Sequence, residues 1–405
     1  MERLAIHGGT PVRETPIYYG HQCIDDSDID AVVGVLRSDY LTCGPAVAEL
    51  EQKLCKVTGA RYAAAVSNGT AALHAACYAA GIKDGDEVIT TPLTFAASAN
   101  CILYMGATPV FADVNPDTYN IDPASIEEHI SEKTKAIVAV DFTGQAAELD
   151  RIRSICKKHH LILIEDGAHS IGTVYKDIPV GNFADLTAFS FHPVKTVTGG
   201  EGGAILTNDE SLYQRLSIFR THGITRNTKF MDLGMEYAQG HDGREEWYYQ
   251  QIALGYNYRI TDIQAALITS QLKKLEKFKL RRQEIASKYN EAFSNFPGIV
   301  LQKEIPESDT TRHIYLIQLN LDELTAGRRE IFDALKAENV YCNVHYIPVY
   351  RFPYYQKLGY KKGLCPCAEK LYERLITIPL YPAMTDGDVD SVITAVKKVV
   401  GNYLK

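Results

Sequence analysis

The chain has 405 residues, of which 46% are hydrophobic, and it carries a formal net charge of −8 at pH 7. A chain of this length is expected to form two or three domains with a core large enough to enclose a cleft. The acidic balance, without a basic stripe, excludes nucleic acid as an expected partner, and the lack of any apolar run of about 18 residues excludes a membrane-spanning helix.

The N-terminal residues and the cysteines both indicate a cytoplasmic protein. Residues 1–9 lack the apolar stretch of a secretory signal. The nine cysteines are scattered and form no paired C-x-x-C clusters. We therefore expect reduced thiols and no metal site.

Between residues 57 and 207, short apolar runs alternate with helical patterns. The Ala-rich stretch at 70–80 predicts a helix that ends at Gly81. Several of the other runs are continuously apolar or β-branched, which is typical of strands buried on both faces. Strands separated by helices predict an α/β fold with a mostly parallel sheet flanked by helices. The predicted strands lie at 62–66, 87–90, 108–111, 136–141, 161–164, 186–191 and 204–207.

The pattern changes near residue 260, where a long helical stretch begins that runs through residue 289. After it, predicted strands at 315–319 and 341–346 enclose a predicted helix at 328–338. These elements indicate a second, smaller α/β domain. We predict a large domain at 1–268, which includes an N-terminal arm, and a small C-terminal domain at 269–405.

A long connection at 223–255 has no clear period and contains the one tryptophan, Trp247. Connections of this length are typically functional lids or disordered segments. We therefore expect this segment to be a functional lid or to be disordered.

The predicted strand at 161–164 leads into Glu165 and Asp166. Ligands of parallel α/β sheets bind at the carboxyl ends of the strands, and a carboxylate buried there is costly unless it is paired. Asp166 can cap a following helix, or it can meet a protonated ring nitrogen. A pyridoxal ring needs such a carboxylate, because the protonated ring acts as an electron sink.

The predicted strand at 186–191 leads to Lys195, which precedes the glycine-rich stretch Gly199-Gly200-Glu201-Gly202-Gly203. Glycines allow a backbone to approach a ligand closely. Lys195 and Asp166 both follow strands of one predicted sheet, so both can face one cleft. A lysine that is desolvated in such a cleft can lose its proton and form a Schiff base.

The sequence Ser67-Asn68-Gly69-Thr70 lies between a predicted strand and the Ala-rich helix. The N–H groups and the dipole of a helix N-terminus bind phosphate, and Gly69 and Thr70 would supply N–H and hydroxyl groups. Ordinary helix capping by Ser67, Asn68 or Thr70 is the alternative. Because the motif lacks both the P-loop lysine and the G-x-G-x-x-G fingerprint, it disfavours an ATPase or a dehydrogenase.

Together these motifs resemble those of the DegT-type sugar aminotransferases, which have the aspartate-aminotransferase fold (fold type I) and use pyridoxal 5'-phosphate (PLP). The resemblance covers nearly the whole chain. Beyond the motifs above, it includes Gly8-Gly9-Thr10-Pro11-Val12-Arg13, Leu41-Thr42-Cys43-Gly44-Pro45, Thr91-Pro92-Leu93-Thr94-Phe95 and the block at 255–266.

The resemblance implies a role for each residue that can contact the cofactor ring. Lys195 would carry the cofactor and later move the proton, and Asp166 would pair with the pyridine nitrogen. Phe95 would stack on the ring, and His169 would lie beside it. From the residues alone, Phe95 would more readily pack in the core.

The resemblance also implies how the phosphate is bound. Gly69, Thr70 and Ser190 are the implied ligands from the same chain. Asn257 is the implied ligand from the neighbouring subunit, which makes the enzyme an obligate homodimer with a shared active site. From the residues alone, Asn257 could be a turn residue.

Within the family, the lysine loop at 189–198 is most similar to that of the pseudaminic-acid pathway enzyme. That enzyme aminates C4 of UDP-2-acetamido-2,6-dideoxy-4-hexulose, with L-glutamate as the usual donor. His345 lies where relatives approach the sugar nucleotide, so it is a candidate substrate contact or a buried structural histidine. The retained Lys195 favours transamination over removal of a hydroxyl group.

Two alternatives to this function stay open. One is amination of a GDP- or dTDP-linked keto sugar at C4 or C3. The other is a PLP-binding regulatory protein without turnover. The connection at 223–255 is longer than is usual for the family, and lids help to select substrates.

Overall fold

The computed structural model describes residues 2–234, 242 and 245–405. Every helix in this part of the chain is too short or too polar to cross a membrane. The α-helices are α1 (Asp26–Leu36), α2 (Pro45–Thr58), α3 (Gly69–Ala79), α4 (Ala97–Tyr104), α5 (Pro123–Glu128), α6 (Leu149–His159), α7 (Glu210–Phe219), α8 (Asp262–Leu272), α9 (Leu275–Phe293), α10 (Arg328–Ala337), α11 (Pro353–Lys357), α12 (Pro366–Arg374) and α13 (Asp386–Asn402). The β-strands are β1 (Ile17–Tyr18), β2 (Tyr62–Val66), β3 (Glu87–Thr90), β4 (Thr108–Phe111), β5 (Thr134–Val140), β6 (Ile162–Asp166), β7 (Val174–Tyr175), β8 (Ile178–Pro179), β9 (Leu186–Ser190), β10 (Gly203–Thr207), β11 (Ile224–Thr225), β12 (Gln250–Gln251), β13 (Ile299–Leu301), β14 (Ser308–Asp309), β15 (Tyr315–Leu319), β16 (Val340–Tyr341) and β17 (Leu375–Ile378).

The main sheet has seven strands in the order β2-β10-β9-β6-β5-β3-β4. β10 is antiparallel to its neighbours β2 and β9, and the other pairs are parallel. The strands are almost entirely buried, as their continuous apolar runs predict. Each strand predicted in this region is present to within two residues, which confirms the α/β fold with a mostly parallel sheet.

Apolar clusters cover both faces of this sheet. On one face α2, α6 and α8 contribute Leu50, Ile152 and Ile268 to the core. On the other face lie α3, α4 and α7. The alanines of α3 are buried against the sheet, and their small side chains let the helix approach β9 and β10 closely. The first residue of α3 is therefore held beside the end of β9.

The C-terminal part forms a second, smaller unit. β13, β15 and β17 make an antiparallel sheet, and its core is shared with α9, α10 and α13. The predicted long helical stretch consists of two helices, because α8 ends at Leu272 and α9 begins at Leu275. The domain boundary predicted between residues 268 and 269 falls within α8 and stays a prediction.

The strand predicted at 341–346 is wrong. Only Val340–Tyr341 is a strand, and it pairs in parallel with β1 near the N-terminus. Beyond it, Asn343 forms an isolated antiparallel bridge with Thr377, and the side chains that follow have partners in different directions. His345 Nδ1 lies 2.7 Å from Thr377 Oγ1, and Tyr346 Oη lies 3.3 Å from His169 Nε2. The aromatic and β-branched composition of this segment resembles a strand, but the segment lines a cavity instead.

The long connection at 223–255 begins and ends as a short antiparallel pair, β11 with β12. The side chain of Gln250 joins the two ends of the connection, because it accepts the N–H of Asp232 and donates to the carbonyl of Asp232. Residues 235–241, 243 and 244 lie outside the described residues. The prediction that this connection acts as a lid or is disordered therefore stays a prediction.

Candidate active site

A cavity of about 860 Å³ opens where β6 and β9 end. This volume is in the range of sites that enclose small-molecule ligands. The first turn of α3, the start of α4, the loop between β9 and β10, and the segment at 343–347 complete its lining. Of the site residues predicted from the sequence, those in the lining are Gly69, Thr70, Phe95, Asp166, His169, Ser190, Lys195 and His345.

Lys195 lies on the loop between β9 and β10, in a turn that its N–H closes by donating to the carbonyl of His192 (2.9 Å). Its side chain is half-buried. Burial lowers the pKa of Lys195 to about 8, and the negative charge of Asp166 opposes this shift. A substantial fraction of the amine is therefore uncharged at slightly alkaline pH, as a nucleophilic amine requires.

Asp166 is the last residue of β6 and is buried. Its carboxylate accepts hydrogen bonds from Ser98 Oγ (2.6 Å) and from the N–H of Ala168 (3.1 Å). Burial raises the pKa of Asp166, whereas these two hydrogen bonds and the charge of Lys195 lower it. Turns and then β7 follow β6, with no helix between them, so the alternative that Asp166 caps a helix is wrong.

The N-terminus of α3 faces the same cavity. Asn68 caps the helix, because its side chain accepts the N–H of Ala71 (2.8 Å). Gly69 lies so close to Ser190 that a Cβ built on Gly69 would be 2.7 Å from the Ser190 Cβ. Thr70 also lines the cavity. The capping alternative is thus correct for Asn68, and the next two residues are left facing the cavity.

Phe95 is 62% exposed although it lies in the cavity lining. The alternative that it packs in the core is therefore wrong. Its ring centroid is 6.4 Å from that of Tyr346. A large aromatic ring that stays uncovered in a cavity is suited to stack on a flat ligand.

Two buried histidines complete the predicted set. His169 lies with its ring centroid 4.4 Å from that of His313, and its Nδ1 has no hydrogen-bond partner among the described residues. His345 contacts Thr377 and also lines the cavity. Burial lowers the pKa of His345 to about 3 and that of His169 well below its usual range, and the charge of Lys195 acts in the same direction. Both imidazoles are neutral near pH 7.

Asn257 is exposed and does not line the cavity of its own chain. Its backbone forms an isolated bridge with Thr221. The structure therefore does not bring Asn257 to the other predicted site residues within one chain.

Sequence reasoning missed Ser98, His313 and Asn343. Ser98 lies in the first turn of α4, just after the predicted site residue Phe95, and this closeness in sequence could have indicated it. His313 and Asn343 come from the C-terminal part of the chain and reach the cavity only through the packing of the two units. The sequence around them carries no comparable signal.

The chain matches the DegT/DnrJ/EryC1/StrS aminotransferase family over residues 22–397. The Bacillus subtilis spore coat polysaccharide biosynthesis protein SpsC is 40% identical over 384 residues, which cover 94% of this chain and 96% of that protein. A Campylobacter jejuni UDP-4-amino-4,6-dideoxy-N-acetyl-beta-L-altrosamine transaminase is 36% identical over 392 residues, which cover 95% and 99% of the two chains.

A solved structure gives the same result for the fold. Helicobacter pylori PseC, an aminotransferase involved in the biosynthesis of pseudoaminic acid, matches with a TM-score of 0.88 and 32% identity, over 96% of this chain and all of that one. The resemblance inferred from the motifs is confirmed. The chain belongs to the DegT/DnrJ/EryC1/StrS aminotransferase family and is a PLP-dependent aminotransferase of fold type I.

Proposed function

We propose that this nucleotide-sugar aminotransferase transfers the amino group of L-glutamate to C4 of UDP-2-acetamido-2,6-dideoxy-4-hexulose. The names of the Campylobacter jejuni transaminase and of PseC support this substrate class. The observation that carries the proposal is the pairing, in one cavity, of a lysine whose pKa is about 8 with a buried carboxylate. The product would serve glycan biosynthesis.

The residues of the cavity fit PLP in three respects. Asp166 is a buried acceptor with few polar partners, which suits a protonated ring nitrogen. The exposed ring of Phe95 offers a stacking surface. Gly69 lies close to Ser190 at the first turn of α3, and the N–H groups of a helix N-terminus can bind a phosphate. We propose that Thr70 adds its hydroxyl group there and that Lys195 holds the cofactor covalently.

When PLP is bound, it supplies an electron sink that stabilises negative charge on the substrate carbon. Lys195 then has two tasks, because its amine binds the cofactor and, once released, accepts and returns a proton at Nζ. Its lowered pKa suits both tasks near neutral pH. Asp166 keeps a negative charge in the site, and Ser98 and the Ala168 N–H hold its carboxylate in place.

His169 and His345 act as neutral groups in this scheme. His169 lies in the lining beside the Lys195 loop, where it can orient the ring or its substituents without adding charge. His345 has one nitrogen engaged by Thr377, which fixes the orientation of its ring. We propose that the opposite edge of the ring contacts the sugar.

Another nucleotide sugar is the main alternative substrate. The SpsC relative is more similar to this chain than the Campylobacter jejuni enzyme, and its name states only a role in spore coat polysaccharide biosynthesis. A GDP- or dTDP-linked keto sugar aminated at C4 or C3 therefore stays a candidate. A regulatory protein without turnover is disfavoured, because a sensor needs no lysine with a lowered pKa.

We propose that the enzyme is a homodimer in which Asn257 reaches the phosphate site of the partner subunit. Asn257 is exposed, and the residues around it expose apolar surface. Leu254 is 78% exposed, and Tyr256 and Ile252 are also exposed. Three apolar side chains uncovered at alternate positions of one short segment indicate a contact surface.

The test is an absorbance spectrum of the protein loaded with PLP, before and after addition of L-glutamate. We expect a visible band that glutamate bleaches. Lys195→Ala and Lys195→Arg should lose the response, although the arginine keeps the positive charge. Subsequent addition of UDP-, dTDP- and GDP-linked 4-keto sugars should restore the band only with the true acceptor. A wild-type protein that shows no band would contradict the proposal.

A further inference from the structure

Arg282 lies on α9, behind the part of the cavity lining that His313 forms. It is only 1% exposed. Its Nη1 donates to the backbone carbonyls of His313 (2.9 Å), Leu380 (3.1 Å) and Arg312 (3.4 Å). Among the described residues, no carboxylate forms an ion pair with Arg282. A buried cation without a counter-ion is costly, so this charge is an unusual feature of the wall behind the site.

The turn that Arg282 holds is connected directly to the site. The N–H of His313 donates to the carbonyl of Thr143 (2.9 Å), and Thr311 Oγ1 donates to the carbonyl of His169 (3.3 Å). The imidazole rings of His313 and His169 lie 4.4 Å apart between centroids. His169 Nε2 in turn lies 3.3 Å from Tyr346 Oη. Displacement of the turn would therefore move His169.

We infer that Arg282 is a positioning residue for amino transfer, which acts on the site through His313 and His169. The guanidinium holds the backbone of the turn, and the turn keeps the imidazole of His313 packed against that of His169. Because the inference rests on the proposed function, which places His169 beside the bound cofactor, its test must separate the two.

The charge of Arg282 also acts on this site. Burial is the main cause that lowers the pKa of His313, and the positive charges of Lys195 and Arg282 add to it. The side chain of Arg312 is engaged by Glu304. The ionisable groups that face the imidazole pair are Lys195, Asp166, His345 and Tyr346 from the cavity, and Arg282 from α9.

The test measures how fast L-glutamate bleaches the band of the PLP-loaded protein, at limiting and at saturating glutamate. Arg282→Met removes the hydrogen bonds that hold the turn and should slow the saturated reaction at least about tenfold, while the protein still takes up PLP. Arg282→Gln keeps one donor for the His313 carbonyl and should fall between the methionine variant and wild type, so it gives the same test if the methionine variant does not fold. Arg282→Lys keeps a charged donor and should restore most of the saturated rate.

Lys279→Met is the matched control. Lys279 is a second buried cation on α9, but its Nζ donates to the Gly172 carbonyl (3.0 Å) and to Asp309 (2.5 Å) rather than to the turn at His313. Its loss should lower the melting temperature and leave the saturated rate unchanged. A saturated rate that stays at the wild-type value in both neutral Arg282 variants, or that falls equally in Lys279→Met, would overturn the inference alone. A wild-type protein that takes up no PLP would overturn the proposed function as well.

Discussion

Two opposed effects set the pKa of Lys195, and their balance leaves its amine reactive. Desolvation favours the neutral amine, whereas the nearby carboxylate of Asp166 favours the ammonium form. The pKa of about 8 lies between the pKa of an exposed lysine and that of a lysine buried without a nearby carboxylate. The carboxylate therefore limits the reactivity of the amine as well as serving the cofactor.

Asp166→Asn should lower the pH midpoint of PLP uptake, because it removes the negative charge that raises the pKa of Lys195. We expect a decrease of about one pH unit, measured by absorbance as the cofactor binds. The same variant should lose most of its amino-transfer activity.

Asp185→Asn is the control for this prediction. Asp185 lies at the other end of the same strands, where its carboxylate accepts the N–H of Leu163 (2.8 Å). Its loss should affect stability but not the midpoint. An unchanged midpoint in Asp166→Asn would show that the two side chains do not interact in solution.

At the scale of elements, the cofactor site depends on how closely α3 approaches β9. The alanine-rich face of α3 allows this approach, and Gly69 allows it at the first turn, where a Cβ would overlap Ser190. The helix terminus and the strand end together make the phosphate site that we propose. Neither element provides it alone.

Gly69→Ala should therefore weaken PLP binding by at least about tenfold, because the new methyl group must push the helix from the strand. Equilibrium titration by absorbance measures this change. The double variant with Ser190→Gly should recover part of the affinity, since the remaining Ser190 Cα would lie at 3.4 Å.

Gly34→Ala provides the matched control on another helix. A Cβ at Gly34 meets nothing within 4 Å, and the residue lies inside α1. Alanine there should stabilise the protein by about 0.5–1 kcal/mol and leave PLP binding unchanged. Equal PLP affinity in Gly69→Ala and wild type would exclude a close-packed phosphate site at α3.

At the scale of the whole molecule, one chain has an incomplete site if the proposed dimer is correct. Asn257 lies on the surface, away from the cavity of its own chain. The apolar side chains beside it are uncovered. Association of two chains would cover them and bring an additional polar group to each cavity.

Leu254→Glu should shift the protein towards monomer, because it places a charge on the most exposed apolar side chain of this surface. Sedimentation velocity across a concentration series should show at least a tenfold weaker association. Leu280→Glu is the control, since Leu280 is 51% exposed on α9. A wild-type monomer, or a Leu254→Glu dimer as tight as wild type, would contradict the dimer.

The amino-acid sequence by itself determined the central sheet and the two reactive residues at its edge, Lys195 and Asp166. Continuous apolar runs indicate strands that are buried on both faces, and their alternation with helices indicates that neighbouring strands are parallel. The strands could therefore be predicted to within two residues. Lys195 and Asp166 follow strand ends, and this position depends only on local pattern. The motifs between them were sufficient to recognise the family.

Only the tertiary structure decided which residues surround that pair. Ser98 reaches Asp166 across 68 positions of sequence, and Arg282 reaches the carbonyl of His313 across 31. The segment after Val340–Tyr341 has the composition of a strand, but its side chains bond to distant partners and its backbone follows them. Periodicity records which side of an element is buried, whereas it carries no information on which distant residue covers that side.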